Sequence, residues 1–365
     1  MPTNPRNFNH ILVTGGAGFI GSNFIRYLLT TYPNIFVTNY DLLTYAGNPA
    51  SLADLAINPR YRFIQGDIRD QVGVTTALNS ETDRPAVDHP AVNHPAVDLV
   101  VNFAAESHVD RSITGPVTFF ETNVLGTITL LEACRLADIP FHQVSTDEVY
   151  GSLSPTDPSA NEGTPYNPRS PYSASKAAAD HAVKAWHHTY GLPVTISNCS
   201  NNYGPYCFPE KFIPLAITNL IDNQLVPLYG AGENIRDWLF VTDHCRAIDL
   251  IIRTGTYGET YCVGGDNQES NLQILHRLLA ILNKPESLIT LVTDRLGHDL
   301  RYDLNYSKLT SELGWTPTLD LTTGLAATVR WYQENESWWR PLKSADRFKT
   351  YYGQHYGQTG VRSGM

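Results

Sequence analysis

The sequence predicts an α/β fold: a largely parallel sheet with helices on both faces, joined to a smaller second lobe. Three observations carry this expectation. Six short apolar runs alternate with helical segments over the first 200 residues, a glycine-rich turn joins the first run to the first helix, and near Asn201 the alternation stops. Strands alternating with helices form βα units, whose crossovers produce a parallel sheet.

The elements follow in chain order. HILVTGGAGFIGSNFIRYLLTTYP passes from strand-like residues through glycines into Phe19, Ile20, Phe24 and Leu28, which have helical spacing. IFVTNYD is a second strand ending at Asp41, YRFIQGD a third ending at Asp67, and VDLVVNFAA a fourth ending near Ala104 and Ala105. IPFHQVST and LPVTISNC are the fifth and sixth, with helices expected over 119–136 and 172–188. Beyond Asn201 the chain is richer in proline and aromatic residues, which reads as a lobe of shorter elements. WLFVTDHCRAIDLIIRTG reads as a strand and helix returning to the first domain. The expected division is therefore a nucleotide-binding domain over 8–200, also receiving roughly 238–260, and a substrate lobe over 201–237 and 261–355. A repeat, PAVDH, PAVNH and PAVDL, begins at Pro85, Pro90 and Pro95. Proline every five residues breaks a helix, so the repeat reads as an expanded surface loop before the fourth strand, away from the sheet edge where ligands bind.

At 365 residues the chain exceeds what one hydrophobic core usually serves. Its 42% apolar and 17% charged content is that of a soluble globular protein. No stretch approaches the roughly 20 uninterrupted apolar residues of a membrane span, and MPTNPRNFNH lacks the regions of a signal peptide, so a cytoplasmic protein is expected. The net charge of −10, with no basic block, argues against a nucleic-acid partner. It leaves room for a small anion held by local arginines or a helix N-terminus. Cys134, Cys199, Cys207, Cys245 and Cys262 have no paired spacing and read as reduced, buried thiols. His181, His187 and His188 read as the exposed side of a long helix, and no metal is expected.

Gly15, Gly18 and Gly21 form G-x-x-G-x-x-G between a strand and a helix. That pattern supplies a tight turn, close backbone approach to a pyrophosphate and a helix N-terminus facing it. Three glycines alone are a weak signal. Asp41, twenty residues beyond Gly21 at the end of the second strand, strengthens it, because a carboxylate there can accept from both hydroxyls of an adenine ribose. The same charge repels a 2′-phosphate, so NAD is favoured over NADP. Asp67 is placed either to meet the adenine edge or to cap the next helix.

STDEVYG sets Thr146, Asp147 and Glu148 side by side at the end of the fifth strand. Adjacent carboxylates make either a solvated turn or a site where one acid stays protonated. In SPYSASKAAADHAV, Tyr172 and Lys176 lie four apart, on one helix face. An ammonium near a phenol is expected to lower its pKa and so favour a phenolate able to take a proton from an alcohol. Alone, the pair also fits a half-buried tyrosine beside a surface lysine. Behind a dinucleotide fingerprint, and with Thr146 ending the intervening strand, it reads as catalytic.

GGAGFIGS, YDLLTYAGN, GDIRD, NFAAESHVDRSI, STDEVYG, YSASK, NNYGPYCFPEKFIPL, ENIRDWLFVTDH and GHDLRY, spread over roughly residues 10–317, resemble the extended short-chain dehydrogenase/reductase superfamily, whose core is a Rossmann-type sheet. Within it they closely resemble the dTDP-glucose 4,6-dehydratase family. Thr-Asp-Glu discriminates, since epimerases of the superfamily generally carry small or hydroxyl residues at the two acid positions. The resemblance implies Tyr172 as base at the sugar C4 hydroxyl with Thr146 and Lys176 assisting, Glu148 as base at C5, and protonated Asp147 as acid at the C6 hydroxyl. It implies that Phe19, Ile20, Leu42, Thr44, Ile68, Ala104, Ala105, Thr122 and Asn202 line NAD beside the residues above. Ser107, Asn201, Glu210, Lys211, Pro227, Tyr229, Arg236, Asn271 and His298, with Thr146, would face dTDP-glucose or a related nucleotide sugar. Arg236 has its own argument, since a guanidinium matches paired diphosphate oxygens, although it could instead pair with Asp237 or Glu233. A homodimer is implied, with the helices around 117–136 and 172–189 meeting their twofold mates as a bundle; apolar helix faces need such a partner.

The chain departs from the family where Leu296 stands in place of the usual proline of Arg-Pro-Gly-His-Asp, which frees one backbone dihedral without removing a polar contact. Cys207 beside Tyr206 and the proline repeat are two further departures. Three alternatives stay open on sequence: a dehydratase of another nucleotide hexose, a 4-epimerase, and a non-catalytic NAD-sensing regulator.

Overall fold

The structure, a computed structural model, describes residues 5–79 and 95–356. Seven parallel strands form the main sheet: β1 (His10–Thr14), β2 (Phe36–Asp41), β3 (Tyr61–Gln65), β4 (Leu99–Asn102), β5 (Phe141–Thr146), β6 (Val194–Cys199) and β10 (Thr260–Val263). The first six are the six apolar runs of the sequence. Their order is β10-β6-β5-β4-β1-β2-β3, so the chain reverses direction across the sheet between β1 and β4. Ligands of open α/β sheets bind beyond the carboxyl ends of the strands at such a switch point.

Both sheet faces are buried, as crossover helices require. Ile11, Val13, Val37, Leu99 and Val101 pack on one side with Phe24, Leu28 and Ile248, while Leu12, Val100, Phe141, Val194 and Ile196 pack on the other with Leu130, Leu131 and Val183. Successive residues of one strand thus serve opposite cores. The predicted helix over 119–136 is a run of Pro116–Phe120, a π-helical stretch Glu121–Gly126 and Thr127–Ala137. The second spans Pro171–Tyr190, begun by a capping box of Ser170 and Ser173 and ended by Gly191 in the left-handed conformation.

The smaller lobe holds a three-stranded sheet of β7 (Asn201–Tyr203), β9 (Ile235–Phe240) and β11 (Gln268–Ser270), and a parallel pair of β8 (Val226–Tyr229) and β12 (Ile289–Val292). Its core gathers Tyr203, Phe208, Ile217, Trp238, Leu275, Leu325 and Trp339. The segment read as one returning strand and helix is divided: β9 joins the small sheet, while the helix Val241–Thr254 packs on the helix Phe19–Thr31. β10 then pairs with β6 in the main sheet, a few residues past the boundary expected at 260. Alternation of apolar residues looks alike in both sheets, so sequence does not say which sheet a strand joins.

Residues 80–94, which hold most of the proline repeat, lie outside the described residues. Its last copy runs into β4, and there Pro95 O meets His10 Nδ1 at 2.5 Å at the amino end of the sheet, opposite the ligand edge. No helix among the described residues is long and apolar enough to cross a membrane. All five cysteines are free and buried.

Candidate active site

The turn after β1 is built for close backbone approach. Gly15 has φ +66°, and a Cβ there would lie 2.6 Å from Ala104 N and 2.7 Å from Ala104 Cα. Gly18 caps the helix Phe19–Thr31, which has no side-chain cap and no acid in its first turn. Its free N–H groups therefore face the cavity. A Cβ on Gly21 would fall 2.5 Å from Gly15 O, so the glycine also lets the helix sit against the turn. Asp41, at the carboxyl end of β2, accepts from Ala17 N at 2.9 Å and Leu43 N at 2.7 Å. Burial pushes its carboxyl above the usual range, and those two N–H groups oppose the shift. Asp67 is not the helix cap: Asp70 accepts from Val72 N, leaving Asp67 at the cavity wall paired with Arg69 at 2.6 Å. Burial raises the Asp67 carboxyl, but the bonds from Arg69 outweigh it and the net shift is downward.

These groups open into one cavity of about 450 Å³. Its wall includes Gly15, Gly18, Phe19, Ile20, Gly21, Asp41, Leu42, Thr44, Asp67, Ile68, Ala104, Ala105, Thr122, Tyr172, Lys176 and Asn202. A glycine turn with no room for a Cβ at Gly15 or Gly21, an uncapped helix N-terminus and a carboxylate at the end of β2 together fit a dinucleotide with two ribose hydroxyls.

Thr146, Asp147 and Glu148 line the same cavity. Thr146 ends β5, and its Oγ1 donates to Asp147 Oδ1 at 3.2 Å and accepts from Glu148 N at 3.3 Å, starting the 3₁₀ turn Asp147–Tyr150. Asp147 is 4% exposed, and its Oδ2 has no hydrogen-bond partner among the described residues. Burial and then the neighbouring Glu148 hold its carboxyl well above the usual range. Burial also raises Glu148, and Arg236, Arg295 and Lys211 oppose that rise without reversing it. The two acids therefore differ in degree: both are pushed up by burial, Asp147 strongly with Arg236 and Thr146 opposing, and Glu148 against three opposing cations.

Tyr172 and Lys176 sit one turn apart on the same cavity wall, and Thr146 is near enough to Tyr172 to oppose the rise of its phenol. The expected lowering of the phenol is corrected by the structure. Burial, followed by the fields of Glu148 and Cys199, raises Tyr172 well above its ordinary value. Lys176 instead donates to Val144 O at 2.7 Å, and its opposite charge is Asp180. Four-residue spacing puts two side chains on one face, but it does not set their direction or the cost of burying a phenolate.

Of the residues expected to meet a nucleotide sugar, Ser107, Thr146, Asn201 and Lys211 share the cavity wall. Lys211 Nζ donates to Ser107 O at 2.8 Å, and Asn201 Oδ1 is buried without a partner among the described residues. Glu210, Pro227, Tyr229, Arg236, Asn271 and His298 are outside that wall, on the lobe. Glu210 is buried and paired with Arg111 at 2.9 Å. Pro227 and Tyr229 belong to β8, and Tyr229 OH donates to Asp110 Oδ2 at 3.2 Å. Asn271 opens a helix, its N–H bonded to Asn234 O, and His298 Nδ1 meets Asp294 Oδ1 at 2.6 Å. Arg236 pairs with neither Asp237 nor Glu233. It donates to the backbone oxygens of Ile235, Leu300 and Asp299, stacks on Tyr302 at 4.3 Å, and turns its charge on Asp147 and Glu148. Asp237 is occupied by Ser200, Gly265 and Asn267.

Sequence reasoning missed Arg295. The structure pairs it with Asp110 at 2.6 Å and places its charge near Glu148. Its only sequence signal was a basic residue in the loop holding Leu296 and His298. Leu296 itself is exposed. Glu106, also on the cavity wall, carried no signal beyond its place in NFAAESHVDRSI.

The chain matches the family model described as GDP-mannose 4,6 dehydratase over residues 12–328. It is 50% identical over 364 residues to a probable dTDP-glucose 4,6-dehydratase of Sinorhizobium fredii, covering 95% of this chain and 98% of that one. Among solved structures it is similar to DesIV, a dTDP-glucose 4,6-dehydratase from Streptomyces venezuelae with NAD bound, with 49% identity, a TM-score of 0.85, and coverage of 92% and 100% of the two chains. It is also similar to a dTDP-glucose 4,6-dehydratase from Bacillus anthracis in complex with NAD, with 45% identity, a TM-score of 0.83, and coverage of 92% and 100%.

Proposed function

Since the chain belongs to the dTDP-glucose 4,6-dehydratase family of the short-chain dehydrogenase/reductase superfamily, we propose that five residues of one cavity divide the steps of its reaction. That reaction is the NAD-dependent dehydration of dTDP-glucose to dTDP-4-keto-6-deoxyglucose. The glycine turn, the helix N-terminus and Asp41 would hold NAD, which would supply a hydride acceptor for C4 and, once reduced, a hydride donor for C6.

Tyr172 takes the proton of the C4 hydroxyl as a phenolate, a form that burial opposes and that the positive charge of bound NAD would favour, with Thr146 oriented to share that hydrogen bond and Lys176 one turn below. A ketone at C4 acidifies the C5 proton. Glu148, whose anionic form is favoured by Arg236, Arg295 and Lys211 against its burial, removes it. Asp147, held protonated by burial, gives its proton to the departing C6 hydroxyl. An acid and a base on adjacent residues thus serve adjacent carbons. The single observation that carries this reading is that Asp147 and Glu148 share one cavity wall with Tyr172 and the glycine turn.

The lobe residues from Glu210 to His298 are our candidates for the nucleotide sugar, with the main sheet given to NAD and the lobe to substrate. The chain is read as a cytoplasmic homodimer. Val117, Phe120, Leu125, Leu136 and Tyr190 are exposed on the helices of 116–137 and 171–190, an apolar surface suited to a twofold bundle. Comparing turnover of dTDP-, UDP-, CDP- and GDP-hexoses tests the substrate. Preference for the thymidine compound is expected, and preference for another base overturns the assignment.

A further inference from the structure

Asp180 is a fully buried carboxylate that the reaction above does not use. It lies four residues beyond Lys176 on the helix Pro171–Tyr190, hence on the same face. Its Oδ2 accepts from Ser145 Oγ at 2.7 Å, Tyr166 OH at 3.1 Å and Asn198 Nδ2 at 3.4 Å, while Oδ1 has no hydrogen-bond partner among the described residues. Ser145 immediately precedes Thr146, and Asn198 also donates to Thr146 O at 3.1 Å. One acid therefore stands both under the strand end that carries Thr146, Asp147 and Glu148 and one helical turn from Lys176.

We propose that Asp180 is a positioning residue of the catalytic centre: its buried charge keeps Lys176 in the ammonium form, and its hydrogen bonds brace the end of β5. The inference rests on the role given to Lys176 above. Burial drives Lys176 and Asp180 toward neutrality, and the field of each opposes that drive in the other. The other titratable groups around the pair do not replace it. Tyr172 on the same helix, Tyr166 on the preceding loop, Cys199 on β6 and Asp147 on the turn are all raised by burial, which disfavours a negative charge on each of them. Glu148 answers first to Arg236, Arg295 and Lys211. The π-helical stretch packed opposite contributes a neutral contact, Asn123 Nδ2 to Ser175 Oγ at 2.8 Å.

Asp180→Asn keeps the shape and the acceptor but removes the charge. The test is the pH profile of kcat/KM on NAD-loaded enzyme with dTDP-glucose. The alkaline limb should move down by at least one pH unit, each unit being about tenfold in the charged fraction of Lys176. Tyr166→Phe, which removes one donor and keeps the charge, should leave that limb in place. A merely structural Asp180 predicts a lower rate with an unshifted limb, and that result overturns the proposal while Lys176→Met remains inactive. A Lys176→Met enzyme working at the parent rate overturns the premise and the proposal together. Should Asp180→Asn fail to fold, ¹⁵N-lysine NMR of the parent decides: Lys176, assigned by its absence in Lys176→Met, should remain an ammonium at pH 8, and a neutral amine there overturns the proposal.

Discussion

Replacing Gly15 with alanine separates the geometry of the cofactor turn from its chemistry. The residue sits at φ +66°, where a side chain costs about 1–2 kcal/mol relative to glycine. The added methyl would meet three backbone atoms of Phe103 and Ala104 at 2.6–2.8 Å. Backbone cannot rotate away as a side-chain tip can, so either the turn or the end of β4 must move, at an overpacking cost of about 1–3 kcal/mol. Together these give about 2–5 kcal/mol. For a chain of this size that corresponds to a fall in Tm of roughly 4–10 °C, at about 2 °C per kcal/mol. Because Ala104 also lines the cavity, NAD affinity should weaken by at least about tenfold. Gly18→Ala is the contrast. Gly18 has φ −78°, and the nearest atom to its added Cβ is Gly15 O at 3.1 Å. It should keep Tm within about 2 °C while still losing NAD affinity, since its methyl stands where the backbone must approach a pyrophosphate. Scanning calorimetry on nucleotide-free protein and titration with NAD measure both quantities. A Gly15→Ala protein with parent Tm, or a Gly18→Ala protein destabilised as much as Gly15→Ala, refutes this reasoning.

Glu148→Gln should still oxidise C4, so reduced cofactor should accumulate in a stopped-flow trace at 340 nm while exchange of the C5 hydrogen with solvent stops. Asp147→Asn should slow water loss by about 10²- to 10⁴-fold and leave C5 exchange measurable by NMR. The same substitution should stabilise the fold at neutral pH. The folded-state pKa of Asp147 is raised, so its contribution to stability is full below the unfolded value near 3.8 and is lost as pH rises through the folded value. Calorimetry should accordingly show a larger gain in Tm for Asp147→Asn at pH 8 than at pH 4. Leu125→Arg, on the exposed apolar face of the 116–137 helices, should yield a monomer by light scattering, and an unchanged dimer would place the interface elsewhere.

The main sheet and its cofactor half were legible because their signals are local. A glycine turn between strand and helix, and an acid at the next strand's end, are set by backbone geometry within about thirty residues. Thr146, Asp147 and Glu148 could be placed at a strand end, but which acid holds its proton could not. That depends on Arg236, Arg295 and Lys211, brought together from three separate parts of the lobe. Tyr172 shows the same limit. Its spacing from Lys176 was readable, yet burial and the direction of the lysine reverse the expected shift of the phenol. Arg295 and Asp180 were invisible for a related reason, since a charged residue in a loop or helix announces neither its partner nor its depth. The lobe was recognisable mainly by loss of rhythm, and β9 and β10 show that apolar alternation does not choose a sheet.

Mass spectrometry of the product formed from dTDP-glucose in D₂O by the NAD-loaded enzyme tests the central assignment most directly. The predicted product has lost one water and carries one solvent deuterium at C5, with no net change in NAD. A product of unchanged composition, epimerised at C4 and without deuterium at C5, would contradict it and show that Asp147 and Glu148 do not carry out an elimination.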